Sequence, residues 1–359
     1  MRKLPSIILS TILATGGILF IGPPAQATKL TCSDEQIEQE ARKGKIIRST
    51  DVTSYTRAGC ELVGRKIEFP SGTLATIPAP GVTVVGSGLA IDGEDELPET
   101  YATMSETGQM AFAERHSDGT EALIGDTFMK LKLKTVIGQR EKQSPQATSL
   151  LSQKCTYSTT NTDLLRWPDG VSYDWWMTEN SNYPPPYGQT QLNVWNITGG
   201  SKSWQNRKTS CPGSYPAHKA STNYKGTSIR SASINSDTTC GPASDWYSLI
   251  TFKSLANAPQ PTLAYTCWYP GINGGIWEAD IAFNSDYSWA LRDNGYLLCS
   301  PGQFILEGVA THEFGHAFGL SHAPQSSDKV MRPNSSSCTT TDTELGTGDL
   351  ASINHHYHY

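Results

Sequence analysis

The sequence predicts an α+β chain built in two parts, and three observations lead there. From about residue 61 to 137, short strand-like runs alternate with turn residues such as Pro78, Pro80, Gly81 and Asp118-Gly119. Farther on, strands rich in aromatic and β-branched residues precede one strongly patterned helix near the C-terminus. Between the two parts, residues 138–154 are polar and carry Pro145 without any clear period. Charged residues are much denser before this stretch than after it. It therefore reads as a linker and a processing region.

In order along the chain, residues 1–27 have the form of a secretory signal peptide. Arg2 and Lys3 precede an apolar run from Ile7 to Ile21, and Ala25-Gln26-Ala27 ends it as a cleavage site. The run is too short for a membrane anchor, and Gly22-Pro23-Pro24 breaks it. Residues 28–137 form the N-terminal unit, read as small and mostly β. Ser33 and Gln36 make a capping box for a first helix. Val82 to Val85 and Phe128 to Val136 are read as strands. Residues 155–359 form the second unit. Tyr173 to Met177, Asp245 to Phe252 and Ile276 to Phe283 are expected strands, and 198–245 are expected to be long irregular connections. A helix is expected from about Gln303.

Eight cysteines in an exported chain point to disulfides. Cys32 and Cys60 fall in the first part, and Cys155, Cys211, Cys240, Cys267, Cys299 and Cys338 in the second. Each part can pair its own, giving Cys32–Cys60 and, as one guess among 15 pairings of the other six, Cys299–Cys338. The formal charge of −6 is too mild to call for nucleic acid or an anionic membrane as partner. A monomer is expected.

The chemistry concentrates in Thr311 to His322, T-H-E-F-G-H-A-F-G-L-S-H. His312 and His316 are four apart, so on a helix they share one face. Gly319 can end the helix and turn the chain. His322 then swings back as a third nitrogen ligand. Three such ligands leave one tetrahedral position of zinc open to water, the catalytic rather than the structural pattern. Glu313 beside the first ligand is the candidate general base. Leu306, Ala310, Phe314 and Ala317 form an apolar stripe. A core helix explains that stripe but not the His-Glu-His face.

The full H-E-x-x-H-x-x-G-x-x-H resembles the metzincin zinc peptidases, and its surroundings resemble the matrixin branch. Met331, nine residues after His322, matches the methionine turn that underlies the metal in that family. Gly274-Gly275 with Glu278 to Phe283 and Trp289 resembles the strand before the active-site helix. Leu263-Ala264-Tyr265 resembles the segment bordering the substrate cleft, and Trp167-Pro168 with Val171 to Tyr173 the first strand. Asp349 to Tyr357 resembles the last helix. Ala323 departs from the serine usual there. The resemblance implies a metzincin (zincin-like) catalytic domain, with a twisted mixed sheet, a backing helix and an active-site helix. It puts the Ile276–Phe283 strand at the sheet edge.

The implied function is a secreted zinc-dependent metalloendopeptidase acting on protein or peptide substrates. His312, His316 and His322 would hold one zinc ion, Glu313 would act as base and Met331 would support the site. Animal matrixins hold a second, structural zinc on several more histidines, but only His218 stands in the second unit before His312, so that site is not expected, and neither is a haemopexin-like repeat. Calcium on loops near Asn273, Asp280 and Asp286 is a further expectation. His355, His356 and His358 read as a solvated tail. Residues 28–137 are read as an inhibitory prodomain, with an accessory binding domain as the rival. Two other readings are a silent secreted zinc-containing binding protein and a zinc hydrolase acting on a non-peptide bond.

Overall fold

The computed structural model describes residues 46–48, 62–137, 155, 165–179, 190–213, 215–271, 275–324 and 330–358. The signal peptide, the helix read from Ser33, the Cys32–Cys60 pair, the 138–154 linker and Asn273 lie outside them.

The N-terminal unit is mostly β, as its turn spacing predicts. β1 (Ile47–Arg48), β2 (Lys66–Glu68) and β3 (Leu74–Thr76) form a small sheet. β4 (Thr83–Ile91), β5 (Glu99–Met104), β6 (Met110–Arg115) and β7 (Glu121–Gly125) form an antiparallel meander. Phe128 to Val136 is not a strand. It belongs to helix α1 (Thr127–Ile137). Asp126 Oδ1 caps it by accepting the Phe128 and Met129 amides at 2.9 and 3.1 Å. Met129, Leu133 and Ile137 are its buried face, at fourfold spacing. The interleaved lysines gave a false alternation.

In the second unit, β8 (Tyr173–Thr178) leads to α2 (Thr190–Gln205), β9 (Thr222–Ser228), β10 (Ser248–Lys253), β11 (Thr262–Pro270) and β12 (Ile276–Asn284). Two short pairs follow: β13 (Ser288–Ala290) with β16 (Gln303–Ile305), and β14 (Arg292–Asp293) with β15 (Tyr296–Leu297). Helix α3 (Leu306–Ala317), β17 (Asn334–Ser335) and α4 (Thr347–His356) complete the chain. The start of the expected irregular stretch is therefore helical. Gly199 and Gly200 hid that helix by their low propensity. They are needed because α2 crosses α3 closely: a Cβ on Gly200 would stand 2.7 Å from Ala310 Cβ. Trp204 Nε1 donates to the Thr311 carbonyl at 2.6 Å across the same crossing.

The two units share one ten-stranded mixed sheet, in the order β7-β6-β5-β4-β11-β12-β10-β8-β9, with β17 beside β4. β12 lies inside the sheet between β10 and β11, not at an edge. The strand bordering the cleft is β11, and β4 pairs antiparallel along its outer side. Three disulfides, Cys155–Cys211, Cys240–Cys267 and Cys299–Cys338, brace the second unit. The last joins the approach to α3 to the loop after β17. No helix among the described residues is long and apolar enough to cross a membrane.

The Asp280 carboxylate accepts the Leu249 amide of β10 and the Ser233 amide of the connection before it, and Asp286 accepts the Ser254 hydroxyl at 2.6 Å. Burial pushes the Glu278 carboxyl up to about 7 from its ordinary 4.5, against the pull of Ser244 and Trp246. Burial and the neighbouring Glu278 also raise Asp280. A raised carboxyl favours the fold while it keeps its proton. That contribution is complete below about 4.5 and is lost as pH climbs through about 7. Thermal unfolding temperature should therefore fall between pH 5 and pH 8. Glu278→Gln should flatten that fall, and a variant with the parent's pH slope would refute the assignment.

Candidate metal centre

Helix α3 carries the first two rings. Its buried anchor is Glu307, whose carboxylate takes Lys208 at 2.8 Å and Arg292 at 2.6 Å. At its C-terminal end, Trp167 Nε1 donates to the Ala317 carbonyl at 2.8 Å and the Tyr357 hydroxyl to the Phe318 carbonyl at 2.9 Å. Gly319 then turns the chain at φ +85°. A side chain there would collide with the Leu165 carbonyl. The turn returns His322 to the helix.

The three rings predicted from the motif meet. His316 Nε2 lies 3.0 Å from His312 Nε2 and 3.1 Å from His322 Nε2. His312 Nδ1 sits 2.7 Å from the Val330 carbonyl, and His316 Nδ1 sits 2.8 Å from the Leu320 carbonyl. A carbonyl only accepts, so each Nδ1 carries the hydrogen. In the neutral rings Nε2 is then a bare lone pair. Burial keeps them neutral: it pushes His316 down to about 4 and holds His312 well below its ordinary value. Lone pairs this close repel one another without a cation between them. The donor set, three imidazoles of which two have fixed tautomers, fits zinc. It is the one such group of three or more ligating side chains among the described residues.

Glu313 is fully buried beside the rings. Thr266 on β11 donates its hydroxyl to Glu313 Oε2 at 2.6 Å. Burial pushes this carboxyl up to about 8, and the Thr266 hydroxyl and the Leu89 amide lying against it pull the other way. Met331 lies under the helix: a Cβ on Gly315 would run into its sulfur and into Trp204. Trp268 stacks on the His316 ring, with centroids 5.9 Å apart.

Four contributors were given no role at the centre by the sequence. Thr266 stands one residue past the Leu263-Ala264-Tyr265 segment. Asp349 accepts the Val330 amide at 3.0 Å, so it fixes the carbonyl that orients His312. Glu99 accepts the His322 amide at 2.6 Å. Ser87 Oγ lies 3.2 Å from His316 Nε2. The last two come from the N-terminal unit, where no motif marks them. Of the other histidines, His218 is given over to the Trp204 carbonyl. His356, read as solvated, is buried against the Leu165 carbonyl. Asn196-Ile197-Thr198 and Asn334-Ser335-Ser336 have the form of glycosylation sequons, but both asparagines are buried with their side-chain amides bonded to backbone. Gly315→Ala should cost about 1–3 kcal/mol of stability through overpacking. Denaturant unfolding of the metal-free protein checks this, and an unchanged midpoint would show the contact to be soft.

No curated protein matches the chain. Residues 256–358, which span β11 to α4 and hold all three rings, match the Matrixin family model, so this part of the chain is matrixin-like.

Proposed function

We propose that the protein is a secreted zinc-dependent endopeptidase. His312, His316 and His322 hold the metal through Nε2, and Glu313 is the general base. The observation that carries this reading is a buried glutamate beside three imidazoles whose Nε2 atoms converge. A structural metal clip needs no base, so the arrangement disfavours the silent binding protein. When bound, zinc supplies Lewis acidity for the scissile carbonyl and acidifies water enough to yield its proton near neutral pH.

The chain's own residues do the remaining work. Glu313 takes the proton of the attacking water and hands it to the departing amine nitrogen. Thr266 holds one carboxylate oxygen in place. Met331 and Trp204 hold the helix under the rings. Burial excludes bulk water from the proton path. The signal-like residues 1–27 and the three disulfides support export to an oxidising compartment. In this reading residues 155–359 are the catalytic domain, 138–154 the processing region, and 28–137 an inhibitory prodomain.

The test is cleavage of a mixed peptide library by zinc-loaded protein, before and after limited proteolysis of residues 138–154. Glu313→Gln should keep one zinc per chain by elemental analysis and lose cleavage by at least about a hundredfold. A chelator should abolish cleavage, and zinc should restore it. Zinc binding without any peptide cleavage, in intact and nicked protein alike, would overturn the reading.

A further inference from the structure

On the face of the sheet turned away from the metal centre, a cavity of about 370 Å³ opens at the end of β11. Trp268 stacks on the His316 ring, and the next residue along the strand, Tyr269, belongs to the core on the opposite face. The Tyr269 hydroxyl donates to the Gly241 carbonyl at 3.2 Å, which fixes its ring as one wall of the cavity. Trp246 and Trp277 form the outer walls, with ring centroids 6.3 Å apart and planes at 69°. Pro270 and Val82 add apolar lining, and Ser244 adds a hydroxyl. The two indoles stand out into water, Trp246 at 69% and Trp277 at 42% exposure.

Exposing two indoles side by side runs against the hydrophobic effect, yet the fold is built to keep them there. Trp246 takes a left-handed backbone, φ +66°, which a bulky residue rarely adopts. Glu278 holds it: Oε2 accepts the Trp246 amide and the Ser244 hydroxyl, each at 2.5 Å. Gly271 leaves room for the Trp277 indole, whose Nε1 a Cβ there would strike. Glu278 follows Trp277 in the chain and pairs across the strands with Tyr269, so one carboxyl adjoins all three rings. It is fully buried, and its Oε1 has no hydrogen-bond partner. Asp280, two residues on and therefore on the same face of β12, is buried as well. Among the described residues that line the cavity, none carries a positive charge. Arg230 is engaged elsewhere, with Asp245 at 3.2 Å and 4.0 Å over the Tyr247 ring. Ring faces are negative, and so is an ionised carboxyl behind them. Both attract a cation, and one clad in carbon also gains from the apolar walls.

We propose that this cavity is an aromatic cage for an alkylammonium cation, with Trp246, Trp277 and Tyr269 as its walls and the Glu278 carboxylate as the counter-charge behind them. The site is separate from the metal centre and stands without the peptidase reading. The cation arrives either on a free small molecule such as choline or on a methylated lysine of a protein, and its chemistry at the rings is the same. A bound cation favours the ionised form of Glu278, whose carboxyl burial otherwise raises to about 7.

The test is titration of the full chain with choline, read by tryptophan fluorescence and by calorimetry. Choline should bind at millimolar concentration or below. Its neutral tert-butyl isostere should bind at least about tenfold more weakly. Trp246→Ala and Trp277→Ala each remove an exposed side chain, so the unfolding temperature should change little while choline binding weakens by at least about fivefold. Glu278→Gln can still accept from Ser244 and Trp246 through its amide oxygen, and it should weaken binding of choline but not of the isostere. Glu313→Gln should bind choline as the parent does. A peptide carrying trimethyllysine distinguishes the source of the group. Tighter binding than choline assigns the cage to a protein partner, weaker binding assigns it to a free small molecule, and either supports the cage. No binding of choline or of the peptide at millimolar concentration, equal binding of choline and its isostere, or a Trp246→Ala variant that binds choline as the parent does would overturn the proposal.

Discussion

Two hydrogen bonds govern the centre: His312 Nδ1 to the Val330 carbonyl and His316 Nδ1 to the Leu320 carbonyl. They fix which nitrogen carries the hydrogen, and so aim two lone pairs at one point. Each acceptor must therefore be held in place. Val330 is held by Asp349, at the start of α4. Leu320 is held by the turn at Gly319, and its amide donates to the Gly315 carbonyl at 3.0 Å. The last helix and the methionine turn thus take part in the geometry of the rings without touching the reacting atoms. Their burial makes the arrangement rigid, because neither carbonyl can turn to water instead.

The same burial sets the electrostatics. Neutral imidazoles and a carboxyl raised to about 8 are what a dry interior imposes on these groups. A divalent cation would reverse that balance, since it offsets the carboxylate charge and satisfies the lone pairs together. Trp268 and Thr266 come from one strand, β11, so the sheet and the helix meet at the centre. β11 is also where the two units of the chain join. An exposed edge strand beside a reactive site is open to any extended backbone. Here the chain covers that edge with its own β4.

Much of the centre was legible in the sequence because its parts are close along the chain. His312, Glu313, His316, Gly319 and His322 lie within one helix and one turn, and helical period with glycine's freedom is enough to bring them together. Met331 was legible only through family resemblance, and the Cys299–Cys338 bridge was one guess among the possible pairings. The misreadings have local causes. Lysines spaced through α1 imitated a strand, and Gly199-Gly200 disguised α2. β12 was put at the sheet edge, whereas β11 lies outside it. Periodicity reports which face of an element is buried, not which neighbour buries it.

Sequence alone thus determined the three-histidine cluster, the glutamate beside it and the α+β character of both units, since each follows from spacing within a few turns of chain. Tertiary structure alone decided what stands in front of the triad. Ser87 and Glu99 lie more than 200 residues from the histidines they approach. Nothing in their local pattern distinguishes them from any buried strand. Ser87 is placed by the pairing of β4 with β11 and Glu99 by the pairing of β5 with β4 and β6, and backbone hydrogen bonds carry no side-chain signature by which a sequence can announce them.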